Sequence, residues 1–308
     1  TGNDWVADIG LGADGSFYLA GGTYSDNFGP AGEPTTNSDV FVVKLSPDGR
    51  TIQYLQIFGG GGEDAARAID VDPTGNVYIT GYTHGGSFPV TNNAFDTSFN
   101  GGADSEVDAF IVKLDPQGEI IYSSFLGGSG FIVPPNQPLG GEDIGYDIAV
   151  AGEFVFITGS TQSSDFPTTP GAFDTSYGNI ASGMSQDAFV VKMKLDGQGV
   201  PDLVYGTFLG GGGGIETGTG IRVDAAGDIY VVGSVNNDFD GEFPRSNGAV
   251  DMVLDVGDTD GFLVKLTPEL LGEGDLVYAT LLGGERYDEI HDLAVDENNS
   301  VYLVGETG

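Results

Sequence analysis

Five acidic residues recur at equivalent places: Asp4, Asp64, Asp143, Glu216 and Asp288 each stand five positions ahead of Ile9, Ile69, Ile148, Ile221 and Leu293. Carboxylates repeated in this way supply the hard oxygen donors that calcium favours. A structural role competes with that one. Each carboxylate could instead accept backbone N–H groups of a neighbouring glycine turn, worth about 1.5 to 3 kcal/mol apiece as charge-assisted bonds. A repeat spreads a structural role over every unit more readily than a ligand, so the structural role is the first expectation and calcium the alternative. A second candidate breaks the repeat: Asn236, Asp238 and Asp240, followed by Gly241, follow the opening order of an EF-hand-like calcium loop. The glutamate such a loop needs at its end is missing, and Asn247 stands there. A solvated acidic loop is the competing reading.

Other residues offer less chemistry. Asp39, Asp108, Asp187 and Asp260 precede Lys44, Lys113, Lys192 and Lys265 by five positions. Odd spacing on a strand puts the two on opposite faces, so these lysines are expected to pair across units as structural counter-charges. The stretch from Asp196 to Asp202 reads as a lengthened turn. The two histidines, His84 and His291, fall at non-equivalent positions, and no nucleophile–base pair is evident beside them. The glycine runs at 59–62 and 210–214 lack the helix and Lys-Ser/Thr of a phosphate loop and read as turns. A pair of carboxylates hydrolysing or eliminating at a sugar remains open, although nothing singles out a pair among the 46 acids.

The elements that must position these residues repeat as well. Each acid leads into a short apolar run, a tight turn and a second run ending in glycine, as in Ile148-Ala149-Val150 and Phe154-Val155-Phe156-Ile157-Thr158-Gly159. Two further runs follow, such as Asp39-Val40-Phe41-Val42-Val43-Lys44-Leu45 and Tyr54-Leu55-Gln56-Ile57-Phe58. Four such strands, labelled A to D, make a unit of roughly 60 to 80 residues, as a four-stranded propeller blade requires, whereas a β-solenoid would have shorter coils. The units are expected at 1–59, 60–127, 128–210, 211–283 and 284–308, the last only a half, within one domain of 1–308. Apolar runs that are β-branched, aromatic and interrupted by glycine or proline read as strands, with no helix. Pro134, Pro135 and Pro138 are expected to exclude regular structure between Gly130 and Gly141. Four-stranded antiparallel units that are apolar on both faces, as Phe41-Val42-Val43 is, predict an all-β propeller or the major arc of a larger ring.

Composition narrows the function. The 308 residues hold 46 Asp and Glu against 10 Lys and Arg, a formal charge of −36. Such a surface repels phosphate backbones and anionic membranes and is relieved by salt or bound cations, which excludes nucleic acid as a partner. Hydrophobic residues at 39% supply a core, and the 53 glycines supply turns. No cysteine is present, so neither disulfides nor sulfur redox chemistry is available. No apolar run approaches the roughly 18 residues of a membrane-spanning helix. The chain opens at Thr1 with no signal-like segment, which reads as a mature or excised piece.

Four stretches carry a family resemblance: Tyr122-Ser123-Ser124-Phe125-Leu126-Gly127-Gly128, Thr74-Gly75-Asn76-Val77-Tyr78-Ile79-Thr80-Gly81, the segment Ser164-Asp165-Phe166-Pro167 through Phe173, and the Asp-x-Phe-x-Val-Lys-Leu run. Together they resemble the bacterial β-propeller repeat abbreviated SBBP, over essentially the whole chain. The first unit lacks the Phe-Pro-Thr-Thr segment and the fourth carries Phe243-Pro244-Arg245-Ser246 instead. The resemblance implies a secreted or surface-displayed bacterial protein, commonly with other modules in one chain, and no enzymatic activity in the repeat itself. The expected function is a non-enzymatic extracellular structural or adhesion module, stabilised by calcium in one version, with other protein chains or further domains as partners. The rival is a carbohydrate-active propeller that binds, hydrolyses or eliminates polysaccharide. For it, Tyr24, Phe95, Phe99, Phe173 and Tyr177 could stack on sugar rings, though packing of each loop on its own blade is the simpler use.

Overall fold

The computed structural model describes residues 2–25, 37–100, 107–133, 137–139, 141–178, 185–212, 214–236, 243–250 and 259–308. Four meandering antiparallel sheets follow one another. The first contains β1 (Asp4–Leu11), β2 (Phe17–Thr23), β3 (Asp39–Leu45) and β4 (Ile52–Phe58), paired in that order. The second contains β5 (Asp64–Val71), β6 (Val77–Thr83), β7 (Asp108–Leu114) and β8 (Ile120–Leu126). After the small ribbon β9 (Phe131–Val133) and β10 (Gln137–Leu139) comes the third: β11 (Asp143–Ala151), β12 (Phe154–Thr161), β13 (Asp187–Met193) and β14 (Leu203–Leu209). The fourth contains β15 (Ile215–Val223), β16 (Ile229–Asn236), β17 (Thr259–Leu266) and β18 (Leu276–Leu282). A two-stranded sheet of β19 (Asp288–Val295) and β20 (Val301–Thr307) ends the chain.

The first strands of the units pack in succession, β1 on β5, β5 on β11, β11 on β15 and β15 on β19. Strands that share an inner edge in this way are blades about a common axis, so the molecule is an arc of four propeller blades and half of a fifth. Burial follows from that stacking. The core consists of layers between neighbouring blades. Val42, Val77 and Phe110 lie between the first and second; Ile111, Ile157 and Phe189 between the second and third; Val190, Val231 and Phe262 between the third and fourth. A smaller layer of Tyr230, Val232, Ile290 and Leu293 joins the fourth to the half blade. Strand C is buried on both faces, as the doubly apolar run Val40 to Val43 requires.

Two local devices shape every blade. The A-to-B turn uses a left-handed residue: Gly75 has φ 88° and donates its N–H to the Asp72 carbonyl, while Asp72 Oδ1 accepts from the Thr74 and Asn76 amides. In the half blade Asn299 takes that place at φ 61°, a conformation asparagine tolerates better than most residues. The second device is a β-bulge in the middle of strand A, at Val6/Asp8, Ala66/Ala68, Gly145/Asp147, Gly218/Gly220 and Ile290/Asp292. It explains the glycine that closes each strand B. A Cβ on Gly81 would lie 2.0 Å from the Ala65 carbonyl oxygen, and the same holds at 1.9 Å between Gly159 and Ile144.

Three expectations need correction. The segment 130–141 is not irregular throughout, because β9 and β10 form a short ribbon in which Pro138 pairs with Ile132. Prolines forbid a helix or an interior strand, but in a two-stranded ribbon each strand is an edge and its outward N–H is dispensable. Two short 3-10 turns, Val200–Asp202 and Gly272–Asp275, also occur in C-to-D connections. The strand C lysines stay within their own blades. Lys265 bonds Asp228 at 2.8 Å and Lys44 lies 3.7 Å from Asp14, both in A-to-B turns. Register decides this: Lys44 stands opposite Tyr18 and Lys265 opposite Tyr230, so each ammonium lies over its strand B ring, 5.0 and 4.7 Å from the centroid.

Candidate functional site

Strands A and C run the same way in each blade, so their first residues lie at the same end. Register puts Asp64 opposite Thr83 and Thr83 opposite Asp108, with Asp143, Thr161 and Asp187 in the same relation one blade on. The blades are then joined at this end through the backbone. The amides of Asp64, Asp143 and Glu216 donate to the carbonyls of Ser38, Val107 and Gln186, the residues just before the strand C acids Asp39, Asp108 and Asp187. Each junction therefore juxtaposes the strand A acid of one blade with the strand C acid of the blade before it.

A glycine pair closing strand D fits between them. The second glycine donates its N–H to the strand A acid: Gly60 to Asp64, Gly128 to Asp143 at 2.8 Å, and Gly284 to Asp288 at 2.7 Å. The first glycine leaves room for the acids. A methyl group on Gly127 would lie 2.8 Å from Asp143 Oδ2 and 2.9 Å from Asp108 Oδ1, and one on Gly59 would meet both Asp39 and Asp64. Ser163 donates its hydroxyl to Asp143 as well.

Burial dominates the electrostatics of these acids. Asp64, Asp143 and Glu216 are fully buried, and Asp288 is nearly so. Desolvation pushes Asp64 up to about 6, against the opposing hydrogen bonds of Gly60 and Thr83 and helped by the charge of Asp39. It pushes Asp143 well above the usual carboxylate range, with the Asp108 charge acting the same way. Asp187 is pushed up to about 7, again mainly by burial. A buried carboxylate pair of this kind must acquire positive charge, as a proton or a cation, to avoid two desolvated negative charges in contact.

The remaining candidates are placed as follows. Asp4 is exposed and accepts from the Thr23 and Ser25 hydroxyls. Asn236 ends β16 and donates its side-chain amide to Thr259, while Asp238 and Asp240 lie outside the described residues. The loop aromatics are packed on the blades. Phe95 and Tyr177 lie against the layer between blades two and three, Phe173 and Phe99 against neighbouring layers, and Tyr24 against Trp5. Asp202 is buried and accepts from the Tyr122 hydroxyl of the preceding blade at 2.9 Å, so the 196–202 turn is a junction staple. His84 Nδ1 contacts the Glu63 carbonyl, and His291 stands with Glu289 and Glu306 on the open face of the half blade.

Two groups of residues were missed from the sequence. Counting along strand C relates its acids only to the lysines five positions on, whereas the parallel course of A and C places them beside the strand A acids. The second group lies near the axis, where the bulge aims acids at the next blade. Asp8 accepts from the Ile69 amide at 3.0 Å and Asp147 from the Ile221 amide at 2.8 Å. Arg222 bridges Asp147 at 2.6 Å and Asp292 at 2.9 Å.

Comparison with known proteins bears on the junction directly. Two stretches of the chain match the SBBP β-propeller repeat. They are residues 53–89 and 277–308. Each match crosses a D-to-A junction and contains its glycine pair and acid, Gly59-Gly60 with Asp64 and Gly283-Gly284 with Asp288. The chain is also 29% identical over 118 residues to an uncharacterised WD repeat-containing protein, L264, of Acanthamoeba polyphaga mimivirus. That match takes in 38% of this chain and 8% of the viral protein. Among solved structures it is similar to Sqt1 from Chaetomium thermophilum, with a TM-score of 0.40 and 13% identity over 96% of this chain and 65% of Sqt1. A second is BamB from Moraxella catarrhalis, with a TM-score of 0.29 and 12% identity over 97% of this chain and 82% of BamB.

Proposed function

We propose that this chain is a non-enzymatic structural or adhesion module of an extracellular, surface-displayed bacterial protein, stiffened by calcium, whose partners are further blades or other protein chains. The observation that carries the partner reading is the exposure of apolar side chains at both ends of the arc. Val6, Ile9 and Leu11 on β1 are 54, 57 and 66% exposed, and Tyr302 and Val304 on β20 are 60 and 61% exposed. The equivalent Ile69, Ile148 and Ile221 are buried between blades. Faces built to be covered are left uncovered at the two ends, which favours an added blade or a partner chain over each. The charge of −36 and the absence of cysteine fit a salt-rich exterior.

Hydroxyl-radical footprinting of the intact protein in its native assembly tests this reading. Protection of Ile9, Leu11, Tyr302 and Val304 to the level of Ile69 supports it. Oxidation as rapid as that of isolated surface residues overturns it. Turnover of a polysaccharide that is lost on substituting one or two junction acids would make the protein an enzyme instead.

A further inference from the structure

We propose that the unpaired edge of β20 is a docking slot for one extended polypeptide strand of the Asp-x-Phe-x-Val-Lys-Leu pattern, entering antiparallel as a strand C and belonging to a further copy of the repeat. This deepens the partner reading above and rests on it, naming what covers the β20 end and in which register. The strands C of the four complete blades, β3, β7, β13 and β17, are each held between their own strands B and D, so the occupant is none of these.

Register in the complete blades spells out that occupant. In the second blade Thr83 stands opposite Asp108, Gly81 opposite Phe110 and Tyr78 opposite Lys113, and Thr161, Gly159 and Phe156 repeat the three pairings one blade on. Through its pairing with β19, β20 takes the same positions: Thr307 corresponds to Thr83, Gly305 to Gly81 and Tyr302 to Tyr78. Among the described residues β20 pairs with β19 alone, and Tyr302 and Val304 are exposed where Tyr78 and Thr80 are buried. An edge strand offers its outward backbone groups to an incoming strand. Main-chain bonds then give affinity, and pockets for alternate side chains give specificity.

Two side-chain positions on this edge are shaped for the pattern. The first is a cleft. Phe189 and Phe262 lie so close over their strand B glycines that a Cβ on Gly159 or Gly233 would come within 2.9 or 2.8 Å of the ring. Each ring also packs on a B-to-C loop phenylalanine, Phe166 or Phe243, at centroid distances of 4.4 and 4.8 Å. At Gly305 the corresponding space is a cleft of about 410 Å³, lined by Leu282, Ile290 and Leu303. The second position suits an ammonium. The Tyr302 hydroxyl donates to Asp296 at 3.2 Å, as Tyr78 does to Asp72 at 3.2 Å and Tyr230 to Asp224 at 3.1 Å. Lys113 and Lys265 lie 5.0 and 4.7 Å from the Tyr78 and Tyr230 centroids, and Lys265 is 3.6 Å from Asp224. Every lysine of the chain lies in or beside another blade's strand C, so Tyr302 and Asp296 keep the arrangement without its cation. A strand with Phe opposite Gly305 and Lys opposite Tyr302 makes the contacts that the complete blades make, and a slip of one residue turns both side chains to the wrong face.

The test uses the whole chain, which has no cysteine of its own, and a synthetic peptide of residues 107–127 that carries β7 and β8. Fluorescence anisotropy of the labelled peptide should show saturable binding, and Phe110→Ala in the peptide should weaken it about tenfold or more. That variant leaves the chain unaltered, so its effect owes nothing to misfolding. Lys113→Met in the peptide and Tyr302→Ala in the chain should each weaken binding several-fold, and together no more than either alone, because both remove the same contact. Oxidative cross-linking reads the register: Thr307→Cys in the chain should join Asp108→Cys in the peptide well ahead of Ala109→Cys. No saturable binding at millimolar peptide, or cross-links indifferent to position, overturns this occupant. If the native assembly then still protects Tyr302 and Val304 from hydroxyl radicals, the partner reading stands and only the strand falls. If it does not, both fall.

Discussion

Strand A occurs in two settings, and β1 and β5 show them side by side. In β5, Ala65, Ala66, Ala68 and Ile69 are buried and Asp64 is sealed from solvent. In β1, Val6, Ile9 and Leu11 are more than half exposed, and Asp4 lies in solvent although it bonds Thr23 as its counterparts bond Thr83 and Thr161. Both strands share the bulge, the strand B partner and the sequence pattern. What differs is the blade in front. Burial is thus a property of the junction and not of the strand, and adjacent blades stabilise one another as nearest neighbours in a linear array.

The sharpest way to break that comparison is to truncate one apolar side chain in each setting, one enclosed between blades and one on the open face of β1. Phe189 is fully buried between blades and stacks on Phe166 with ring centroids 4.4 Å apart. Phe189→Ala should cost about 3 to 5 kcal/mol, measured by chemical denaturation. Ile9→Ala should stay within about 0.5 kcal/mol for the chain alone, since its side chain is already in water. A comparable loss at both sites would show that a neighbour covers β1 and that the end face is a junction like the others.

Arg222 offers the next largest effect, at a junction near the axis. Burial pushes Asp147 up to about 6 even though the Arg222 guanidinium opposes it. Arg222→Met should cost about 1 to 3 kcal/mol, below the figure for a fully buried pair because the arginine side chain is 36% exposed. Asp292, on the open half blade and 52% exposed, should lose less than about 1 kcal/mol on change to Asn. Equal losses would mean that Arg222 serves both acids alike, and the contrast between enclosed and open junctions would fail.

Acid should strengthen the enclosed junctions in the absence of divalent ions. Asp187 is pushed up to about 7 and Asp64 and Asp147 to about 6, from a value of 3.8. The folded chain takes up these protons before the unfolded chain does, so Tm should rise as pH falls from 8 towards 5. Below 3.8 the unfolded chain protonates too and the gain ends. There Asp72, lowered by its bonds to Thr74 and Asn76, begins to lose stabilisation. A Tm that falls steadily from pH 8 to 5 in chelator would contradict the burial of these acids.

Much of this architecture was legible because copying makes it so. Hydrophobic period, turn glycines and the repeated acid predicted four strands per unit and a shared axis; that Phe88, Phe166 and Phe243 of the Phe-Pro segments are buried is a finding of the structure. The bulge was not legible, since an extra residue such as Arg67 or Tyr146 looks like ordinary strand; only the obligatory glycine opposite betrayed it. The pairing of strand A and strand C acids was hidden for another reason. It depends on residues of successive units meeting in space, and counting along one strand directed attention to the lysines, whose rings and turn acids lie inside their own blade.

The smallest expected effect separates the two settings by sign and by dependence on calcium. In chelator, burial raises the Asp143 carboxyl well above the usual carboxylate range, so its charged form is costly there and Asp143→Asn, a neutral group of similar shape, should change stability little. With calcium present, the native chain should gain a stabilisation that the variant lacks if the calcium reading runs through these acids. Asp4→Asn gives up an exposed acceptor for Thr23 and Ser25 and should cost no more than about 0.5 kcal/mol with or without the ion. Thermal melts of both variants in chelator and in calcium decide the matter. If Asp4→Asn becomes sensitive to calcium in the intact protein, then another blade or another chain encloses it, and the arc continues past β1.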